Sequence, residues 1–304
     1  MYDVLIIGAG PAGLTAGVFA VRRNMKTLVL NDPTTASQTD EASMVDDWPG
    51  VIGIKGPELM KKFREHAEKL EVEIKQDKIS KISKIKGGFE VINTDKKYQA
   101  KTIIIATGSK HRKGLVKGED QFAGKGVSYC ATCDGPLFKG KKVLVLGGGD
   151  TAVTYAILLD DIGAETGLVQ RRDKLRATES WQKKLFKTKV KIHWDTVCIE
   201  IKGDKFVKSA VLQNKKTGEK KEVPVDGVFV AFGTVPTSGI AKGLDIKIDK
   251  AGYIEVDRDQ KTNVPGVFAA GDCCNNAAKK IVTAAGDGGL AAENAYFYLK
   301  EEEK

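Results

Sequence analysis

Cys130-Ala131-Thr132-Cys133-Asp134-Gly135 sets two thiols three residues apart and follows them with a carboxylate. Three chemistries fit a Cys-x-x-Cys: half of a zinc site, a structural disulfide, or a dithiol whose first thiolate attacks a partner's disulfide. Zinc requires four ligands at compatible spacing. The other cysteines are Cys198, Cys273 and Cys274, and the three histidines, His66, His111 and His193, are scattered singly. With no second cysteine knuckle, no metal is expected. A redox dithiol needs proton traffic, because the leaving thiolate must be protonated, and Asp134 stands next to Cys133 where it can supply that proton. The redox dithiol is therefore the working reading, and Cys130, Cys133 and Asp134 are its candidate catalytic residues.

A dithiol that cycles must be fed electrons, and the flanking elements read as nucleotide sites. Residues 4–7 form an apolar run that stops at Gly8-Ala9-Gly10-Pro11-Ala12-Gly13 and leads into a helix-compatible segment over 14–22. In such a strand, turn and helix, the first glycine permits the tight turn and the second lets backbone approach a pyrophosphate. The third lets the helix pack on the strand. A strand over 27–30 follows, and Asp32 at its carboxyl end stands where an acceptor for ribose hydroxyls belongs. The arrangement recurs as a strand over 143–146, the turn Gly147-Gly148-Gly149-Asp150-Thr151-Ala152 and a helix over 153–159. The same sequence distance separates Gly8 from Asp32 and Gly147 from Arg171. Where the first copy ends in an acid, the second ends in Gln170-Arg171-Arg172-Asp173-Lys174-Leu175-Arg176, whose guanidiniums can grip a ribose 2'-phosphate. The first site reads as FAD and the second as NADPH.

Each copy also carries a β-meander feeding a last parallel strand. The first runs over 79–85, 89–93 and 98–105 and ends in Ala106-Thr107-Gly108; the second runs over 196–201, 206–213 and 228–232 and ends in Gly233-Thr234-Val235-Pro236. An amphipathic helix is expected over 57–70 with His66 on its surface, and His111 and His193 also read as surface residues. Strands over 252–256 and 264–269 lead to Gly271-Asp272, whose carboxylate can reach ribityl or ribose hydroxyls. A helix rich in Ala and Gly over 279–298 can bring its amino end to a flavin ring. Because a strand of this kind completes the first unit, the second is inserted within it. The expected fold is α/β, with two Rossmann-like three-layer nucleotide-binding domains, the NADPH domain inserted into the FAD domain. The FAD domain takes 1–113 and 240–304, and the NADPH domain, carrying the Cys-x-x-Cys, takes 114–239.

With 304 residues and 41% apolar content, the chain can bury two cores. The net charge of +9 reads as a Lys-rich solvated surface. No arginine cluster with interleaved aromatics appears away from 170–176, so nucleic acid is not an expected partner. The amino terminus lacks a basic n-region and no stretch reaches ~18 uninterrupted apolar residues, so neither a leader nor a membrane anchor is expected. Five cysteines without a leader suit a reducing cytoplasm.

With these motifs in place, the chain resembles the low-molecular-weight thioredoxin reductases of bacterial and archaeal type, class II of the pyridine nucleotide-disulfide oxidoreductases, over essentially its whole length. The opening glycine turn, Trp48-Pro49-Gly50, Ala106-Thr107-Gly108, the Cys-x-x-Cys-Asp-Gly, the second glycine turn, the arginine segment and Gly271-Asp272 occur in family order. The resemblance implies a homodimer that passes electrons from NADPH through non-covalent FAD to a Cys130–Cys133 disulfide and on to thioredoxin or a glutaredoxin-like dithiol protein. It implies that Cys133 faces the flavin, that Cys130 attacks the partner and that Asp134 is the general acid. It extends the FAD residues from Gly8, Gly10, Ala12, Gly13 and Asp32 to Gln38, Asp47, Ala106, Thr107, Gly108, Gly271, Asp272, Lys280 and Ile281. For NADPH it implies Gly147, Gly149, Asp150, Thr151, Ala152, Arg171, Arg172 and Arg176. It also implies that the inserted domain rotates about crossings near Lys113-Gly114 and Ser238-Gly239. Departures from the family pattern are Asp47 for the usual Asn, Lys279-Lys280 for Arg-Gln, Gln170 for His, and Thr154 and Tyr155 for a pair of glutamates. Gln170 and Thr154 leave another hydride donor as a rival; a dithiol oxidase that uses oxygen, against which Arg171, Arg172 and Arg176 argue, and a non-catalytic redox sensor, against which the two cofactor sites and Asp134 argue, are the other two.

Overall fold

The computed structural model describes the chain apart from Glu41, Ser43, Met44, Asp46, Ile52, Thr94, residues 113–115 and residues 303–304; for Cys133 it describes the backbone alone. The chain divides into two compact units, Met1–Lys110 with Val235–Lys304, and His111–Thr234.

The first unit is built on a parallel sheet whose strands read as continuous apolar runs because both faces are covered. Val4, Leu5 and Ile6 of Tyr2–Ile7 and Ile103, Ile104 and Ile105 of Lys97–Ile105 are fully buried. Tyr2–Ile7 lies between Thr27–Asn31 and Lys97–Ile105, with Val4 opposite Thr27 on one side and Thr102 on the other. Glu73–Gln76 extends the sheet beyond Thr27–Asn31, and Val267–Ala269 pairs parallel with the end of Lys97–Ile105. The amino half of Lys97–Ile105 instead pairs antiparallel with Gly88–Ile92, which pairs with Lys81–Ile85. One strand thus serves both pairings, and its burial changes from alternating to continuous where the partner changes.

The helix Pro11–Arg22 packs on one face of this sheet with the long helix Ile281–Glu302, their buried side chains merging with Val4, Ile6, Ile104 and Phe268. The two helices approach so closely at Gly288 that a Cβ there would stand 2.0 Å from the Ala12 carbonyl oxygen. The last helix begins two residues later than the sequence pattern suggests, because Lys280 acts as its cap: its carbonyl accepts from Ala284 N at 2.9 Å and its N–H donates to Thr283 Oγ1 at 3.2 Å. It also runs on to Glu302, since a solvated glutamate tail satisfies a helical period as well as a coil. Residues 252–256 are not a strand. Asp249 Oδ1 accepts from Ala251 N and Tyr253 N in a tight turn, leaving only isolated bridges at Ile254.

The second unit repeats the parallel core with strands Val127–Ser128, Gly227–Val230, Lys142–Leu146, Glu165–Val169 and Lys191–His193 side by side. The helices Asp150–Asp161 and Glu179–Leu185 cover one face. A separate antiparallel sheet of Thr196–Gly203, Val207–Asn214 and Lys220–Pro224 covers the other. The meander of this half is therefore a sheet of its own rather than an extension of the parallel one. Ser109–His111 and Thr234–Pro236 pair as a two-stranded ribbon where the chain passes between the units. Lys113-Gly114, expected at the first crossing, lies outside the described residues. Ser238-Gly239 belongs to the first unit, where Thr237 N donates to Gly108 O at 2.9 Å and Ser238 Oγ to Gly252 O at 2.5 Å.

Candidate active site

The parallel strands of the first unit deliver its candidate residues to one edge. Gly8 follows Tyr2–Ile7, Asp32 follows Thr27–Asn31, Ala106 follows Lys97–Ile105 and Gly271 follows Val267–Ala269, all at carboxyl ends, where open α/β sheets bind ligands. The three turn glycines have different physical reasons. Gly8 has φ +112° and faces the Ala106 carbonyl oxygen, which a Cβ would meet at 2.2 Å; at Gly13 a Cβ would stand 1.8 Å from Gly8 O. At Gly10 the nearest atom to a Cβ would be Ser37 Oγ at 3.8 Å, so packing does not demand a glycine there. Gly10 is also the N-cap of Pro11–Arg22, with Pro11 in the first turn, no side-chain cap and no acid. Bare N–H groups facing a space kept clear of side chains fit a pyrophosphate.

Asp32 lies just beyond its strand, and its Oδ1 accepts from Thr34 N at 2.8 Å and Thr34 Oγ1 at 2.6 Å. Burial works to raise its pKa, but the Thr34 bonds with Lys78 and Lys110 outweigh it and hold the group below the ordinary value, ionised and able to accept from hydroxyls. Gln38 Nε2 donates to Ser109 O at 2.9 Å and Oγ at 2.6 Å. Ala106 N donates to Ile7 O at 2.8 Å, Thr107 Oγ1 to Thr237 O at 2.5 Å, and Gly108, at φ +64°, has open space where a Cβ would be. Gly271 N donates to Asp287 Oδ2, which also accepts from Asn276. Burial raises the pKa of Asp272 against the pull of Lys279 and Ser109. Asp47 and Lys280 form an exposed ion pair at 3.2 Å, next to Ile281. Lys279 donates to the Cys274 carbonyl and lies 4.4 Å from the centre of the Tyr253 ring. Thr237 Oγ1 is buried with no hydrogen-bond partner among the described residues. A buried hydroxyl beside the Ala106-Thr107-Gly108 turn with its hydrogen bond to give fits a polar group of a bound cofactor; its sequence context, a plain Pro-Thr-Ser, carries no signal.

The second unit repeats this division of labour. Gly147 has φ +144° and faces the Ala231 carbonyl oxygen, 2.4 Å from a Cβ, and Ala152 is fully buried against it. Gly149, N-cap of Asp150–Asp161, has nothing within 4 Å of a Cβ and no side-chain cap. Asp150 Oδ1 accepts from Thr178 N at 2.7 Å, and the Thr151 carbonyl accepts from Thr154 Oγ1 at 3.1 Å. Arg171, Arg172 and Arg176 are exposed on the loop that follows Glu165–Val169.

Cys130 leads into the short helix Ala131–Asp134 directly after the edge strand Val127–Ser128. It is 8% exposed and disulfide-bonded. Ser128 Oγ accepts from Cys130 N at 3.1 Å and donates to Cys130 O at 3.2 Å; Asp134 N donates to Cys130 O at 3.1 Å. Asp134 is half-buried. The side chain of Cys133 lies outside the described residues. Behind the dithiol, Tyr129 OH donates to the fully buried Glu119 at 2.8 Å, and Tyr155 OH donates to Tyr129 O at 3.0 Å. Burial, then Glu119, pushes the Tyr129 phenol well up. Tyr155 thus anchors the dithiol segment to the nucleotide-site helix, a role invisible in its spacing. His111 and His193 are half-buried rather than surface residues: His111 stacks on Tyr129, and burial lowers the pKa of His193. Cys198, Cys273 and Cys274 are free and buried. Among the described residues no group of three or more metal-ligating side chains occurs, and no helix is long and apolar enough to cross a membrane.

Comparison with known proteins shows what this geometry is shared with. The family model of pyridine nucleotide-disulphide oxidoreductases matches residues 2–288. Thioredoxin reductase of Listeria monocytogenes is 42% identical over 303 residues, which are 99% of this chain and 95% of that protein. The crystal structure of Lactococcus lactis thioredoxin reductase matches with a TM-score of 0.94 at 42% identity, covering 99% of this chain and 100% of that one. That of T. acidophilum thioredoxin reductase matches with a TM-score of 0.92 at 36% identity, covering 100% and 99%.

Proposed function

We propose a function from one premise: the chain belongs to the pyridine nucleotide-disulphide oxidoreductases and, among them, to the thioredoxin reductases. It is an NADPH-dependent flavoprotein disulfide reductase that acts on thioredoxin or a glutaredoxin-like dithiol protein. The observation that carries this reading is the pair of open glycine positions, Gly10 and Gly149, each capping a helix with no side-chain cap of its own, on a chain that also holds a Cys-x-x-Cys-Asp. The first turn, with Asp32, Gln38, Asp47, the residues Ala106 to Gly108, Gly271, Asp272, Lys280 and Ile281, holds FAD without a covalent bond. The second, with Asp150, Thr151 and Ala152, seats the NADPH pyrophosphate, and Arg171, Arg172 and Arg176 take its 2'-phosphate.

Bound FAD supplies the two-electron relay between nicotinamide and dithiol. The remaining steps belong to side chains. Cys130 thiolate attacks one sulfur of the thioredoxin disulfide; a mixed disulfide forms as the substrate's S–S bond breaks, and the departing thiolate takes a proton from Asp134. Cys133 thiolate then attacks Cys130 Sγ, the second thioredoxin sulfur leaves and is protonated from solvent, and Cys130–Cys133 is oxidised by the two electrons the substrate gained. Because one dithiol serves both an internal donor and a protein partner, the inserted unit rotates between the two tasks.

A second copy of the chain covers the outer face of Pro11–Arg22 and Ile281–Glu302. Supporting this dimer, Phe19, Val282, Leu290 and Phe297 remain exposed there, Phe297 by 52%. The protein works in the cytoplasm, where its dithiol can cycle. The test is direct: purified protein should be yellow, acid or heat should release all of its flavin as FAD, and NADPH should drive multiple rounds of thioredoxin reduction. Flavin retained on the denatured chain, or a single turnover only, would refute the reading.

A further inference from the structure

The loop that carries the arginines is clamped to the glycine turn from three sides. The Gly148 carbonyl accepts from Arg176 N at 2.7 Å and Ala177 N at 3.2 Å, and Asp150 Oδ1 accepts from Thr178 N. Leu175 and Ala177 are buried in the core below. The third clamp is a second side chain. Gln170, 4% exposed, has its backbone fixed in the sheet by His193 O and Thr196 N, and its Nε2 donates to Lys174 O at 2.6 Å across the base of the loop. Its carboxamide lies against Gly148: a Cβ on that glycine would stand 2.3 Å from Nε2 and 2.4 Å from Cδ. Gly148, the variable position of Gly-x-Gly-x-x-Ala, is thus a glycine because Gln170 occupies the space above it.

We infer that Gln170 is a positioning residue for nucleotide selectivity: seated on Gly148 and bonded to Lys174 O, it holds the backbone that presents Arg171, Arg172 and Arg176. The inference rests on the assignment of those arginines to the 2'-phosphate. A buried amide that bridges strand end and loop confines long, mobile side chains to the region where the phosphate arrives, so less ordering is left for the binding event. Its contribution is selective, because a nucleotide without a 2'-phosphate makes no use of the confined guanidiniums. Gly148→Ala acts by the same route, since the methyl group expels the carboxamide from its seat.

The holoenzyme carrying Gln170→Ala tests this. The Michaelis constant for NADPH and the Kd for NADP+, measured by fluorescence titration, are both expected to rise about 5–10-fold, the scale of one buried hydrogen bond and the order it imposes. The rate at saturating NADPH, kcat/KM for NADH, flavin content and melting temperature stay unchanged. Gln170→His, which keeps a ring N–H at the same place, restores most of the loss. Gly148→Ala reproduces the defect, and in the double variant with Gln170→Ala it adds nothing, because the clash partner is gone. Equal losses with NADPH and NADH would make Gln170 a fold residue, and no change in either would make it a filler; both overturn the inference. Arg171→Ala with Arg172→Ala serves as the separate control. If that pair leaves NADPH selectivity intact, the 2'-phosphate assignment itself fails, whatever Gln170 does.

Discussion

At the scale of single residues, the proposed mechanism gives the two thiols different tasks. Replacing either Cys130 or Cys133 by Ser should abolish thioredoxin reduction while NADPH still bleaches the flavin, because the dithiol lies downstream. Cys133→Ser keeps the attacking thiol and should accumulate a mixed disulfide with thioredoxin, visible as a heavier band without reductant; Cys130→Ser should not. A trapped complex from Cys130→Ser instead would reverse the roles. A second residue reports on stability. Burial lowers the pKa of His193, and Lys221 and Lys191 add to the shift. The folded ring therefore holds a proton less tightly than the unfolded one, so its contribution is intact above a pH of about 6.5 and is lost as pH falls from there through the lower folded value. His193→Gln should flatten that decline, and denaturant midpoints at about pH 7.5 and pH 5 should show the variant losing less than the parent. Parallel losses would show that His193 does not titrate on unfolding.

At the scale of elements, the glycine turns separate packing from binding. Gly8→Ala places a methyl group 2.2 Å from a carbonyl oxygen at φ +112°, and should cost about 2–3 kcal/mol or more of stability. Gly10→Ala meets nothing closer than 3.8 Å and should cost about 1 kcal/mol or less, yet yield protein depleted of FAD. Gly149→Ala, likewise free of neighbours, should keep its flavin and bind NADPH poorly. Thermal melting set beside the flavin absorbance of each variant checks this; Gly10→Ala with full flavin would show that no pyrophosphate approaches there. Those turns and the buried runs before them were readable because a strand covered on both faces and a helix start without a cap each leave a compositional mark. Lys220–Pro224 left none, since it is an edge strand of Lys220, Lys221 and Glu222 held by Ser209 and Lys202 rather than by alternating burial. The seat of Gln170 on Gly148 was equally hidden, because it joins residues distant in sequence through a side chain whose type alone suggests a polar surface. The orphaned hydroxyl of Thr237 is a property of the fold with no counterpart in spacing.

At the scale of the whole molecule, the inserted arrangement of two nucleotide-binding units, each with its own parallel sheet, lets a hydride donor and a disulfide acceptor be served by one chain. The exposed apolar residues on the first and last helices support the proposed pairing with a second copy. Phe297→Asp, which places a charge on that face, should convert the proposed dimer to monomer in sedimentation equilibrium without lowering FAD content; an unchanged mass would move the interface elsewhere. The claim on which everything else depends is that electrons pass from NADPH through the flavin to Cys130 and Cys133. Anaerobic titration of the purified yellow protein tests it most directly. NADPH should bleach the flavin at concentrations where NADH does not, and oxidised thioredoxin added afterwards should restore the yellow colour in the parent but not in Cys130→Ser. Colour that returns in Cys130→Ser as fast as in the parent, or flavin that NADPH leaves oxidised, would contradict the account.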